Sequence, residues 1–183
     1  MSECTGACRS DGIAKTDLEL LTPKLAATYA DGEGVNASDD RQLPRRAEVY
    51  GIVHKLLDLV FPGFDGGREF FAESAEFYAG ALLSELYVEL CDQVRRSLRG
   101  RMQTEDCAQC PIEERTQAAV LALFAALPEI REIMKLDVAA AYAGDPAASS
   151  GAEIILSYPG IKAITIQRFA HVLYRHGDRK SVV

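Results

Sequence analysis

The sequence predicts an all-α protein: a multi-helix domain behind a loosely packed N-terminal segment. Three observations predict it. Apolar residues recur at helical spacing in nearly every patterned stretch. No stretch alternates apolar and polar residues over the length of a strand. No internal repeat is present, and in particular no hexapeptide repeat of the kind that builds a parallel β-helix.

Residues 1–42 carry one modest helix candidate, Leu18 to Tyr29, and then the polar, glycine-bearing "ADGEGVNASDDRQ", a linker by composition. Next, "LPRRAEVYGIVHKLLDLVFPGF" opens at Pro44, a good first-turn residue. It aligns Val49, Ile52, Val53, Leu56, Leu57 and Val60 on one face, and "FPGF" stops it. A long helix is expected from about Arg68 to Arg101, its apolar set being Phe71, Phe77, Tyr78, Leu82, Leu86, Leu90 and Leu98. The loop "QTEDCAQCP" ends it.

Two further helices, "IEERTQAAVLALFAAL" and "PEIREIMKLDVAAAYAG", are expected to meet at a kink or short break at Pro128. In the second, Ile130, Ile133, Met134, Val138, Ala141 and Tyr142 form the buried stripe. Asp145 before Pro146 reads as the cap-then-proline opening of a short helix. "GAEIILSYPG" is brief and ends at Pro159-Gly160. A last helix from about Ile161 to Arg175 buries Ile166, Phe169, Ala170 and Leu173, with Gly177 as its C-cap.

Composition bounds the function. With 183 residues, 48% hydrophobic and 26% charged, the chain can bury a sizeable core. A net charge of −7 argues against nucleic acid, because neutralising phosphates needs clustered Lys and Arg. The one basic run, "RRSLRGR" from Arg95 to Arg101, is offset by flanking acids and reads as a solvated helix end. No apolar run reaches the roughly 18 residues that a membrane span needs. "MSECTGACRSDG" lacks the basic and apolar regions of a signal peptide, so the expected compartment is the cytoplasm, where thiols stay reduced.

The chemistry-bearing residues are sparse. No metalloprotease, P-loop, dinucleotide-binding or nucleophile-elbow motif occurs. His54 lies near an apolar face and is expected to be a partly buried packing residue. His171 reads as a helix-surface or interface residue, and neither it nor His176 has a carboxylate at a dyad spacing. Cys4 and Cys8 are spaced C-x3-C, Cys107 and Cys110 are C-x2-C, and Cys91 falls inside a helical pattern. Four thiolates from two such pairs suit one zinc ion, but their surroundings are not those of zinc knuckles, so they read as plain thiols and no metal site is assigned. From residues alone the expectation is a helical domain with no reaction.

The last quarter adds a resemblance. "D-V-x-A-A-Y-x-G-D-P-A-A", "E-I-I-L-S-Y-P-G" and "A-I-T-I-x-R-x-A-H-x-L" resemble the end of the helical N-terminal domain of serine O-acetyltransferases. "LPRRAEVYGIVHKLLDLVFPGF" and "LPEIREIMKLDVAAAY" extend the likeness upstream, so that it covers about Leu43 to Gly177. The resemblance implies three parts: residues 1–42 as a poorly ordered or loosely packed segment, 43–177 as the helical domain, and 178–183 as a tail. It also implies acetyl transfer from acetyl-CoA to L-serine, giving O-acetylserine for cysteine synthesis.

In that family the catalytic His–Asp pair and the acetyl-CoA groove belong to a left-handed β-helix. The likeness therefore implies no catalytic residue in this chain, no cofactor bound by it, and His171 and His176 as bystanders. One functional residue carries over: the aspartate of the family's D-P-A motif, which helps bind serine, is Asp145 here. Pro146, Tyr158, Pro159 and Gly160 are expected to shape the turn around it.

Gln167 departs from the family pattern, standing where an aromatic commonly precedes the arginine kept as Arg168. "DRKSVV" stands where the lead into a β-helix is expected. It reads as a truncation point (a premature stop, a frameshift or a trimmed boundary) or as a natural short form. The implied role is homo-oligomerisation through the helical domain, with L-serine and acetyl-CoA as substrates of the full-length enzyme. Docking to O-acetylserine sulfhydrylase is implied only if a C-terminal tail exists. The alternative is a stand-alone regulatory subunit that assembles with a full-length acetyltransferase. A third reading is a small metal or redox module built on the cysteine pairs.

Overall fold

A computed structural model describes residues 15–30, 43–64, 69–102 and 111–177. All regular structure among them is helical. The chain divides into two compact units, Met1–Arg41 and Gln42–Val183. In the first, α1 runs from Lys15 to Tyr29 with Pro23 inside it. Leu18, Leu21, Leu25 and Tyr29 are all exposed. The hydroxyls of Thr22 and Thr28 donate to the carbonyls of Leu18 and Leu25, each at 2.7 Å.

The second unit holds α2 (Arg46–Val60), a 3-10 turn (Ala72–Ser74), α3 (Ala75–Met102), α4 (Ile112–Gly144), α5 (Gly151–Ser157) and α6 (Pro159–Gly177). Helix α4 is the centre: α2, α3, α5 and α6 all pack on it. Ala119 is buried on it, beside the row Thr116, Val120, Leu123, Leu127, Ile130 and Met134. The positions of that row step by three and four residues, the spacing that keeps one face of a helix against its neighbours.

The stripe runs straight through Pro128, so the break expected there is absent and α4 is one helix of 33 residues. Proline removes one backbone donor, but Pro128 itself is exposed and the buried stripe ties both halves to one core. Tyr142 also departs from expectation, being exposed at the end of α4.

Helix α3 contributes Tyr78, Leu82, Leu86, Leu90, Cys91 and Leu98 to the core. It begins at Ala75, after the 3-10 turn, rather than near Arg68, which lies outside the described residues. Phe71 and Phe77, expected in its apolar set, both point outward, and Phe77 is 81% exposed. The inward row steps by four from Tyr78, and a neighbouring position lies about 100° round the helix.

Helix α2 buries Ile52, Leu56, Leu57 and Val60. It starts at Arg46, two residues after Pro44, and its N-cap Arg45 has no side-chain cap. A side chain from α3 does that work: the buried Gln93 accepts the Arg45 N–H at 2.8 Å on Oε1 and donates through Nε2 to Asp92 Oδ2 at 2.9 Å and to Glu48 Oε2. At the other end Arg131 donates to the Val60 carbonyl, and buried Asp58 accepts the Gly63 N–H at 3.2 Å. Gly63 has φ +80°, a conformation in which a Cβ is strained. His54, expected to be partly buried, is exposed.

Arg95 is not the solvated residue that the charge run suggested. Its Nε and Nη2 both donate to Glu113 in the first turn of α4, each at 2.9 Å, tying α3 to α4. That fork holds the Glu113 carboxyl below the usual range. Arg96 donates to Asp92 one turn back, at 2.7 Å.

Helix α6 begins at Pro159, two residues earlier than expected, with proline in the first turn. Its fully inward row is Ile161, Thr165 and Phe169, while Ile166 and Leu173 are half-buried and Ala170 is exposed. A threonine is tolerated in the core because its hydroxyl donates to the Ile161 carbonyl at 2.7 Å, so no polar group is left bare. No helix among the described residues is long and apolar enough to cross a membrane.

Candidate functional site

Asp145 is the residue at which α4 ends. Its own N–H still bonds the Ala141 carbonyl at 3.1 Å, and its backbone then leaves the helix at φ −115°, ψ 103°. The helix expected to open at Pro146 does not form. Instead Asp145 to Ala148 is a turn, closed by the Ala148 N–H donating to the Asp145 carbonyl at 3.1 Å. Within it Asp145 Oδ1 accepts the Ala147 N–H at 2.9 Å, two residues on, as aspartates in turns commonly do. Asp145 thus caps a turn and not the start of a helix.

The true helix start is Ser150. Its hydroxyl accepts the Glu153 N–H at 3.1 Å, and α5 runs from Gly151. The Glu153 carboxylate folds back to Ser149, accepting its N–H at 2.8 Å and its hydroxyl at 2.6 Å. Those bonds hold the Glu153 carboxyl below its ordinary range. The S-x-x-E spacing of Ser150 and Glu153 was a readable capping signal, overlooked in favour of Asp145-Pro146.

The second bond to Asp145 comes from a residue that sequence reasoning placed only in a turn. The Tyr158 hydroxyl donates to Asp145 Oδ2. With the Ala147 N–H it pulls the Asp145 carboxyl below its usual range, and in return the phenol is pushed up to about 12, first by that hydrogen bond and then by burial. Nothing in local spacing reports a contact between residues thirteen positions apart across two turns.

The chemistry of this arrangement is that of a fixed anion. Two acceptor positions of Asp145 are used internally, and a carboxylate has about four. The residue sits at the C-terminal, partially negative end of a long helix, beside a second carboxylate on Glu153. Such a place suits an ammonium or a hydroxyl donor and repels an anion. Of the turn residues, Pro146 and Gly160 are exposed and Tyr158 is half-buried.

The other candidates are not brought to this turn. His171 and His176 are exposed on α6. Arg168 reaches from α6 to Asp137 on α4, Nη1 to Oδ2 at 2.7 Å, an ion pair by distance whose angle falls short of a hydrogen bond. Cys91 is buried, and burial pushes its thiol up, the opposite of an activated nucleophile. Cys4, Cys8, Cys107 and Cys110 lie outside the described residues. Among the described residues no group of three His, Cys, Asp or Glu side chains is arranged to hold a metal ion.

No family model matches the chain. A serine acetyltransferase from Synechococcus elongatus, described as plasmid-borne, is 37% identical over 138 residues, which is 74% of this chain and 43% of that protein. Among solved structures, native serine acetyltransferase 1 from Entamoeba histolytica matches at TM-score 0.53 and 32% identity, covering 70% of this chain and 42% of that one. Serine acetyltransferase isoform 3 of the same organism, in complex with cysteine, matches at TM-score 0.55 and 28% identity, covering 90% of this chain and 53% of that one. The chain therefore spans about half the length or less of the relatives it matches. At 37% identity to one of these enzymes over 74% of its own length, the chain belongs to the serine acetyltransferase family.

Proposed function

We propose that this chain is the assembling helical domain of a serine acetyltransferase, and that it supplies one substrate contact, the Asp145 carboxylate, to the serine site. The reaction served is acetyl transfer from acetyl-CoA to the L-serine hydroxyl in cysteine biosynthesis, in the cytoplasm. The observation that carries the reading is the Asp145 turn: an ionised carboxylate held by Ala147 and Tyr158, with acceptor positions to spare for an α-ammonium. Serine and cysteine share that ammonium, and a structural neighbour is a complex with cysteine.

Residues 43–177 are the assembling part. Phe77, Leu136, Val88 and Leu156 are large apolar side chains exposed by 81, 71, 70 and 66% on α3, α4 and α5. Self-association would cover some of them, in the symmetric manner of most homo-oligomers.

The chain by itself is expected to be silent in catalysis, because the family resemblance assigns the catalytic His–Asp pair to a β-helix, and His54, His171 and His176 are exposed on helix surfaces away from the Asp145 turn's hydrogen bonds. The experiment is thiol release from acetyl-CoA in the presence of L-serine, with the purified chain. No release above buffer is expected. Release in proportion to the chain added would overturn the assignment of catalysis to other parts of the enzyme.

A further inference from the structure

The Asp145 turn is touched by a residue from the α5–α6 junction whose geometry is more constrained than a turn-shaping role requires. Tyr158 sits between two helices, as the C-cap of α5 and the residue before α6. Its N–H donates to the Ile154 carbonyl at 3.2 Å, and its own carbonyl accepts the Ile161 N–H at 3.1 Å. Pro159 follows, which bars the helical conformation and holds Tyr158 extended, at φ −92°, ψ 105°. The backbone is thereby fixed, and the side chain reaches from it to Asp145. The ring is half-buried, and the hydroxyl ends on Asp145 Oδ2.

We propose that Tyr158 is a positioning residue for the Asp145 carboxylate. Its hydroxyl on Oδ2 and the Ala147 N–H on Oδ1 orient the carboxylate plane, so that the remaining acceptor positions face the substrate ammonium. Both bonds favour the ionised acid, so the carboxylate stays charged as well as oriented. This inference rests on the reading of Asp145 as a contact for serine, and the two can fail separately.

The test uses the 183-residue chain as wild type, Tyr158→Phe and Asp145→Asn. The phenylalanine keeps the ring and removes only the hydroxyl. Asp145→Asn identifies the Asp145 carboxyl signal by its loss. Two readouts are taken by NMR: the pH titration of the Asp145 carboxyl carbon, and the shift of that signal on adding L-serine. Amide spectra that match away from the turn show that the variants are folded.

In Tyr158→Phe the Asp145 carboxyl is expected to titrate at higher pH, and L-serine to bind about tenfold more weakly, the scale of one hydrogen bond to a charged group. An Asp145 titration that does not move overturns the positioning role, whatever serine does. So does serine binding that is measurable and equal in wild type and variant. If the titration moves but wild type shows no response to L-serine, the positioning role stands and the serine reading alone falls.

Discussion

Leu123→Ala should destabilise the chain by about 2.5 to 5 kcal/mol. Leu123 is fully buried, in the middle of the stripe by which α4 meets the rest of the bundle. The substitution removes three carbons. At about 0.8 kcal/mol for each buried carbon group, the transfer cost alone is about 2.4 kcal/mol. That is the floor, reached only if neighbours collapse into the space. The residues one turn away on the same face, Val120 and Leu127, are buried as well, so a cavity should remain and raise the cost toward the top of the Leu→Ala range.

Leu121→Ala is the internal control. It makes the same chemical change two residues away on the same helix, but at a side chain that is 55% exposed, and should alter stability by no more than about 0.5 kcal/mol. Urea unfolding followed by helical circular dichroism measures both, with the slope checked for constancy. A Leu123→Ala loss below about 1 kcal/mol at unchanged slope, or equal losses for the two variants, would refute the placing of α4 at the centre of the core.

Other outcomes follow from the same contacts. One of the seven tyrosines should ionise near pH 12 in an ultraviolet titration, and Asp145→Asn should return it toward the ordinary phenol value of about 10. Because that pKa is raised on folding, the stability that it contributes is complete below the ordinary phenol value and is lost as pH climbs through about 12. The depressed Asp145 acts in the opposite sense: its contribution is present above the ordinary carboxyl range and disappears as pH falls through its own lower value. Gln93→Glu puts a third carboxylate between Glu48 and Asp92. It should destabilise the chain at neutral pH and do so less as acid protonates the cluster; a loss independent of pH would contradict the placing of Gln93. Ser150→Ala should cost about 1 kcal/mol through the lost cap of α5, read by the same unfolding assay.

How far these features were legible in the sequence depends on the range of the interaction involved. The apolar rows of α2, α3 and α4 are local periodicities, and the positions Ile52, Leu56, Leu86, Leu90, Ile130 and Met134 could be read directly and are buried. Pro128 misled because a local rule about proline was set above a longer pattern: the three-and-four stepping from Thr116 to Met134 passes it without interruption. Phe77 misled for a related reason, since hydrophobicity names a candidate but only its phase against Tyr78 and Leu82 says which way it faces.

The D-P-A-A motif singled out Asp145 as a candidate, whereas its place as a turn cap rather than a helix cap required knowing that Ser150 and Glu153 compete for the helix start. The Tyr158 contact, the Gln93 cap of α2 and the Arg95–Glu113 fork all join residues far apart in the chain, and no single-sequence spacing encodes them.

The central claim is that the helical domain assembles subunits, and sedimentation equilibrium of the purified chain over a wide concentration range tests it most directly. The account predicts a discrete oligomer that gives way to monomer on dilution, and that Phe77→Ser or Leu136→Ser shifts toward monomer with the helical content unchanged. A species that remains monomeric at every concentration, with its exposed apolar side chains in water, would contradict it.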